Sequence, residues 1–147
     1  MVDSRAKGAA GERQVRDVLR KYTKLEWQRV PHSGALSFMK GDLFVPNTHN
    51  NYCVEVKFYK HSHFNDKVLT NSTNQFISWW EQTTRQAKLA GGKPLLFFKY
   101  NRSKIFVATR DKPETVKNYM YVSHLDCYVM ESTGWLTYED QRFINNG

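Results

Sequence analysis

Cysteine is nearly absent from this chain: two in 147 residues, Cys53 and Cys127, neither set at a metal-ligand spacing. A disulfide framework and a zinc ribbon are both excluded, and a reduced, cytoplasmic protein is the simplest reading. Long apolar runs are missing too. No stretch approaches the roughly 20 apolar residues of a membrane span, and the first ten residues hold no hydrophobic signal segment, so no membrane partner is expected. Internal repeats, low-complexity tracts and linkers are also lacking, and residues 1–147 read as a single domain large enough for its own core. Acid is the scarcer charge, 14 Asp and Glu against 22 Lys and Arg, a formal net charge of +8. That surplus favours a polyanionic partner. Nucleic acid fits better than a lipid surface, because no basic amphipathic segment exposes a broad hydrophobic face.

What the chain does have is a pair of short strand-like segments. Asp42-Leu43-Phe44-Val45 is followed by a polar turn and then by Tyr52-Cys53-Val54-Glu55-Val56-Lys57-Phe58. In the second segment Tyr52, Val54, Val56 and Phe58 alternate with Cys53, Glu55 and Lys57, so the charged residues share one strand face, about 7 Å apart. With Asn47 to Asn50 as the hairpin loop, Asp42 falls opposite Glu55 on the same face. Two carboxylates and a lysine so placed suit phosphodiester hydrolysis. Asp42 and Glu55, with the Val56 carbonyl, can hold a hard cation such as Mg²⁺, with Mn²⁺ as substitute, and the Lys57 ammonium can orient a water and stabilise transition-state charge. The plain structural alternative is a solvated Glu55–Lys57 pair on an edge hairpin, with Asp42 a turn residue.

The spacing predicts an amphipathic helix from about Ala9 to Tyr22, with Val15, Val18, Leu19 and Tyr22 on its apolar face. Glu12 projects at the border of that face, beside a stripe of Arg13, Arg16 and Arg20 suited to a phosphate backbone. Glu12 can equally be a first-turn carboxylate that complements the helix dipole. Residues 1–8, with Arg5 and Lys7, read as a basic arm. A second helix is predicted from about Asn74 to Ala90, with Phe76, Trp80, Ala87 and Ala90 inward, Gln75, Trp79, Gln82 and Gln86 on its flank, and Arg85 and Lys88 beyond. Gln82, Arg85 and Gln86 are candidate DNA contacts. Trp79 suits base stacking, a dimer interface or the core. Leu95 to Phe98 and Ile105 to Val107 read as paired strands joined by Asn101-Arg102-Ser103. His61 and His63 could share a metal, but no third ligand is spaced with them, so the loop starting at Lys60 is expected to be solvated and to contact DNA. Asn65 to Asn74 reads as a flexible polar loop.

Taken in order, Arg5-Ala6-Lys7-Gly8 leading into Gly11-Glu12-Arg13, Arg29-Val30-Pro31-His32-Ser33-Gly34, Asp42-Leu43, Glu55-Val56-Lys57 and Gly91-Gly92-Lys93-Pro94 resemble the archaeal-type Holliday junction resolvases. These belong to the PD-(D/E)XK nuclease superfamily, and a small version with diverged ends is similar to bacteriophage nucleases. The resemblance spans about three quarters of the chain and fades after Val107, leaving residues 112–147 as a diverged part. It implies an α/β restriction-endonuclease-like fold, a central mixed sheet flanked by helices. It also implies a magnesium site with Glu12, Asp42, Glu55 and Lys57 catalytic and Glu12 among the metal-binding acids, a catalytic-loop serine at Ser33 or Ser37, and a homodimer that cuts four-way junctions. Arg29 and Lys60 join the expected DNA-binding positions. Gly41 stands where the motif has proline. A restriction-like or repair nuclease acting on duplexes or flaps, and a non-catalytic DNA-binding protein, are the alternatives; no small-molecule cofactor is expected.

Overall fold

The computed structural model describes residues 4–31 and 39–145, residues 4–6 by their backbone alone. Helix α1 (Ser4–Thr23) leads into strands β1 (Gln28–Arg29), β2 (Leu43–Phe44) and β3 (Tyr52–Tyr59), then helix α2 (Gln75–Ala90) and strands β4 (Lys93–Tyr100) and β5 (Phe106–Thr109). Strands β6 (Tyr119–Val122) and β7 (Cys127–Glu131) and helix α3 (Ser132–Tyr138) follow. The described strands form one seven-stranded sheet in the order β1-β2-β3-β4-β5-β7-β6. Strands β3 and β4 are parallel and α2 is their crossover, while every other pairing is antiparallel, which gives the expected mixed α/β sheet.

Strand β4 explains why the sheet has two covered faces. Leu95 and Phe97 join Val15, Leu19, Val54, Val56 and Trp135 on one side. Leu96 and Phe98 join Phe76, Trp80, Ala108 and Val129 on the other. A continuous apolar run in a central strand is what two-sided burial requires. The boundaries of α2 follow local chemistry. The Asn74 side chain accepts from the Ile77 amide, and Gly91 closes the helix in the left-handed region at φ 74°. The Gly92 amide then reaches back to the Ala87 carbonyl at 2.9 Å.

Several expectations change. Helix α1 begins at Ser4, so most of the supposed basic arm is helical and Glu12 lies well past the first turn, which removes the helix-dipole reading. Ala90 is exposed, whereas Ile77, Trp79 and Thr83 are buried, so the covered face of α2 is wider at its start and runs out after Ala87. The polar stretch from Asn65 to Asn74 is built rather than loose. The Asn65 side chain accepts from the Lys67 amide, opening a short 3-10 turn whose Val68 is buried, and Asn71 accepts from the Thr73 amide. In the diverged part, residues 112–118 form bends without a helix, and β7 between Ser123 and Trp135 is paired on both sides. The chain's end returns to the core. Phe143 stands edge-on to Trp27 at 5.3 Å, and Asn50 bridges Ile144. Among the described residues no helix is long and apolar enough to cross a membrane.

Candidate active site

Leu43 pairs with Val54, and the Asp42 amide also donates to the Val54 carbonyl, so the register is not carried back to an Asp42–Glu55 strand pair, although the two carboxyls still meet in a hydrogen bond. Asp42 is held by backbone on both sides. Its amide donates to the Val54 carbonyl at 2.7 Å, its carbonyl accepts from the Val30 amide at 2.9 Å, and its Oδ2 accepts from the Val56 amide at 2.8 Å. Gly41 makes this approach possible. Its φ is +86°, and a Cβ there would lie 2.8 Å from the Val54 carbonyl oxygen, so glycine fits where the family motif carries proline.

Glu55 is 4% exposed. Burial, then the Asp42 charge and a hydrogen bond between the two carboxyls, push it up to about 8, opposed by Lys57 and reinforced by Glu12. A buried carboxyl facing a half-buried one beside an ammonium is an arrangement that a hard cation would fit. Cys53, one step back on the same strand face, is pushed up to about 12 by burial, Glu55 and Asp42, and stays a neutral thiol.

Helix α1 brings in the third acid. Gly11 meets the Phe58 ring so closely that a Cβ would lie 2.8 Å from it, and this contact sets Glu12 beside the end of β3. Glu12, Asp42, Val56, Lys57, Tyr59 and Lys60 share one cleft of about 590 Å³ with Lys7 and Asn101. The Glu12 carboxylate is bridged by Arg29, Nε to Oε1 3.1 Å. Among the described residues no three His, Cys, Asp or Glu side chains converge closely enough to hold a metal by themselves. The donor set therefore suits a hard ion that keeps several waters: two carboxylates, Asp42 and Glu55, a backbone carbonyl at Val56, and Glu12 one layer further out rather than in direct contact. His63 instead packs edge-on to Trp79 at 5.3 Å and to Tyr59 at 5.9 Å, and burial, then His61, lowers its pKa.

The basic positions divide. Lys7 lines the cleft and donates to Asn101 Oδ1 at 3.2 Å, Lys60 is exposed on the cleft wall, and Arg13 and Arg85 are exposed on their helices. Arg20 donates to the Trp27 carbonyl at 2.8 Å, Arg16 pairs with Asp17 at 3.0 Å, and Arg29 pairs with Glu12, so these three arginines serve the fold as well as any phosphate. Gln82 and Gln86 are half-buried on α2. Ser33, Ser37 and the Arg5 side chain lie outside the described residues. Sequence reasoning missed Tyr59 and Asn101. Tyr59 continues the alternation of Glu55 and Lys57 by one more step and was legible; Asn101 arrives from the β4–β5 turn, which no local pattern announces.

Protein D14 of Escherichia phage T5 is 38% identical over 130 residues, covering 84% of this chain and 81% of its own. Among solved structures, Hjc of Archaeoglobus fulgidus, a Holliday junction resolvase, aligns with a TM-score of 0.46 at 16% identity, over 86% of this chain and 89% of that one. The profile of the family described as "Phage putative PDDEXK endonuclease" matches residues 3–140, and the chain belongs to that family.

Proposed function

We propose that the protein is a magnesium-dependent endodeoxyribonuclease that resolves four-way DNA junctions, acting as a homodimer with one cleft per opposed strand. The observation that carries the catalytic reading is the Asp42–Glu55 pair, in which burial first and the Asp42 charge second raise the Glu55 carboxyl to about 8 beside Lys57. Such a pair is relieved by a divalent ion. Asp42 and Glu55 bind it, with the Val56 carbonyl as a third oxygen, and the Asp42 orientation is fixed in advance by the Val56 amide. Bound there, the ion neutralises charge growing on the phosphoryl oxygens and lowers the pKa of the attacking water. Lys57 sits one strand step beyond Glu55 and places its ammonium against that same charge. Glu12, braced by Arg29, orients water at the cleft's edge. Lys7 and Lys60 meet the flanking phosphates, which steers DNA toward the cleft and makes binding salt-dependent.

The junction substrate is supported by the ordered motifs of the first three quarters of the chain, and the same metal chemistry serves other DNA substrates. The test is cleavage of an end-labelled four-way junction against linear duplexes of the same arm sequences, with Mg²⁺. Paired symmetric nicks in the junction alone are expected. Equal cutting of the linear arms moves the substrate to duplex or flap DNA, and binding without cutting in any metal removes the catalytic reading.

A further inference from the structure

We infer that Tyr59 is a base-stacking platform in the cleft, taking an unpaired or unstacked base next to the phosphate held at Lys57; this rests on the nuclease reading and deepens it. Tyr59 ends the catalytic strand on the face that carries Glu55 and Lys57, about 7 Å past Lys57, the scale of one nucleotide step. Tyr59 is 41% exposed and lines the cleft that holds Glu12, Asp42 and Lys57. The ring is backed by other aromatic rings. The Trp79 ring lies 4.8 Å away at 35°, and His63 stands edge-on to both Tyr59 and Trp79. Trp79 is itself only 3% exposed, so it cannot take a base; it stiffens the ring that can. Among the described residues its buried Nε1 finds no hydrogen-bond acceptor, which marks an indole kept for its ring face rather than its donor. The position of Tyr59 is fixed as well, since the next residue's carbonyl accepts from the Asn101 amide at 3.2 Å.

A rigid, half-open aromatic ring of this kind binds any base by stacking, independent of base identity. Paired bases inside a duplex present no face to it. A base at a branch point does, so the platform favours branched over linear DNA, which charge alone does not do.

The test is a binding cycle in the Glu55→Gln background with Ca²⁺, so that no cutting intervenes. The probes are four-way junctions with a single abasic site moved base by base through the branch region. At one position the abasic site is expected to weaken binding about fivefold or more, the range of one base–aromatic stack. Tyr59→Leu is expected to weaken binding to the intact junction by a similar factor, and to add nothing once that base is missing. Tyr59→Phe, which keeps the ring, is expected to bind as the parent does, and linear duplex affinity should not change in any variant. Additive losses at every position, or equal loss of duplex and junction binding in Tyr59→Leu, overturn the platform. Failure of the nuclease reading shows elsewhere, as an unmutated protein that binds but does not cut.

Discussion

The two ends of β3 and β4 open into polar clefts of comparable size, about 590 Å³ beside Lys57 and about 740 Å³ beside Tyr52, and their charges are arranged in opposite ways. At the Tyr52 end two acids, Asp111 and Glu139, are each held by several donors. Asp111 accepts from the Tyr52 hydroxyl at 2.5 Å and from Lys93 at 3.2 Å, and Glu139 accepts from the amides of Glu114, Thr115 and Val116 at 3.0, 2.7 and 2.8 Å. At the Lys57 end two carboxyls face each other, one of them buried, with acid on the helix beside them. Glutamates at the two ends are displaced in opposite directions: Glu55 is raised, while the three amides hold Glu139 below its ordinary range against the opposing effect of burial. Satisfied acids support the fold. The like-charge pair is a cost to the fold, and such costs gather where chemistry is done.

The largest break in this contrast comes from removing the repelling charge. Glu55→Gln should lower cleavage by about 10²-fold to 10³-fold or more, since it removes both a cation ligand and the charge that draws the cation. The same variant should fold at least as stably as the parent without metal at pH 8, and should lose most of the stabilisation that Mg²⁺ or Ca²⁺ gives. Calorimetric melting with and without metal reads both. A variant that melts lower than the parent in metal-free buffer would mean that Glu55 is a structural carboxylate like Glu139.

The pH dependence follows with its sign. The Glu55 carboxyl rises from 4.5 to about 8 on folding, so between those values the folded chain holds more protons than the unfolded one. Its contribution to stability is whole below about pH 4.5 and is lost as pH climbs through 8, on the order of 2 to 4 kcal/mol in the metal-free protein. Urea unfolding at pH 5 and pH 8 should show this loss, and Glu55→Gln should flatten it. Metal affinity moves the other way, rising with pH as the proton leaves.

Next in size is Gly41→Ala. The added methyl would press on the Val54 carbonyl at 2.8 Å in a backbone region that L side chains avoid. A loss of about 2 kcal/mol in denaturant unfolding is expected. Cleavage should fall further than stability alone explains, because Asp42 is the next residue and its placement depends on that turn.

How much of this was legible in the sequence depends on the range of the signal. The alternation in β3 puts Glu55 and Lys57 on one strand face, and the hairpin brings the Asp42 carboxyl to that of Glu55, because strand period and antiparallel pairing are local properties. Helix α2 was bounded within a residue by Asn74 and Gly91-Gly92, whose capping chemistry is written in the side chains. Long-range pairings were not legible. Arg29 reads as an expected DNA-binding position, yet its side chain bonds Glu12, 17 positions earlier. Trp27, among the deepest core side chains, sits outside any periodic run and is buried by Phe143 from the far end of the chain. Ala90 fits a helical wheel and is exposed, since periodicity gives a face but not where the neighbouring sheet stops. The arginines of α1 show the same limit: charge is visible in sequence, and its use is decided by what tertiary structure brings within reach.

Glu139→Ala sharpens the comparison from the satisfied end, with the smallest effect. The three amides of residues 114–116 would lose their acceptor and turn to water, which is close by because the glutamate is only half-buried. About 1 kcal/mol of stability should go, with cleavage and metal binding unchanged. The pH sign is opposite to that of Glu55. Glu139 is held below its ordinary range, so its contribution is present at neutral pH and is lost on acidification through its folded pKa. A parent-minus-variant stability difference that shrinks toward low pH for Glu139→Ala, beside one that changes between pH 5 and 8 for Glu55→Gln, would separate a carboxylate that holds the chain together from one that waits for a cation. If both differences followed the same pH window, the opposition between the two clefts would be wrong.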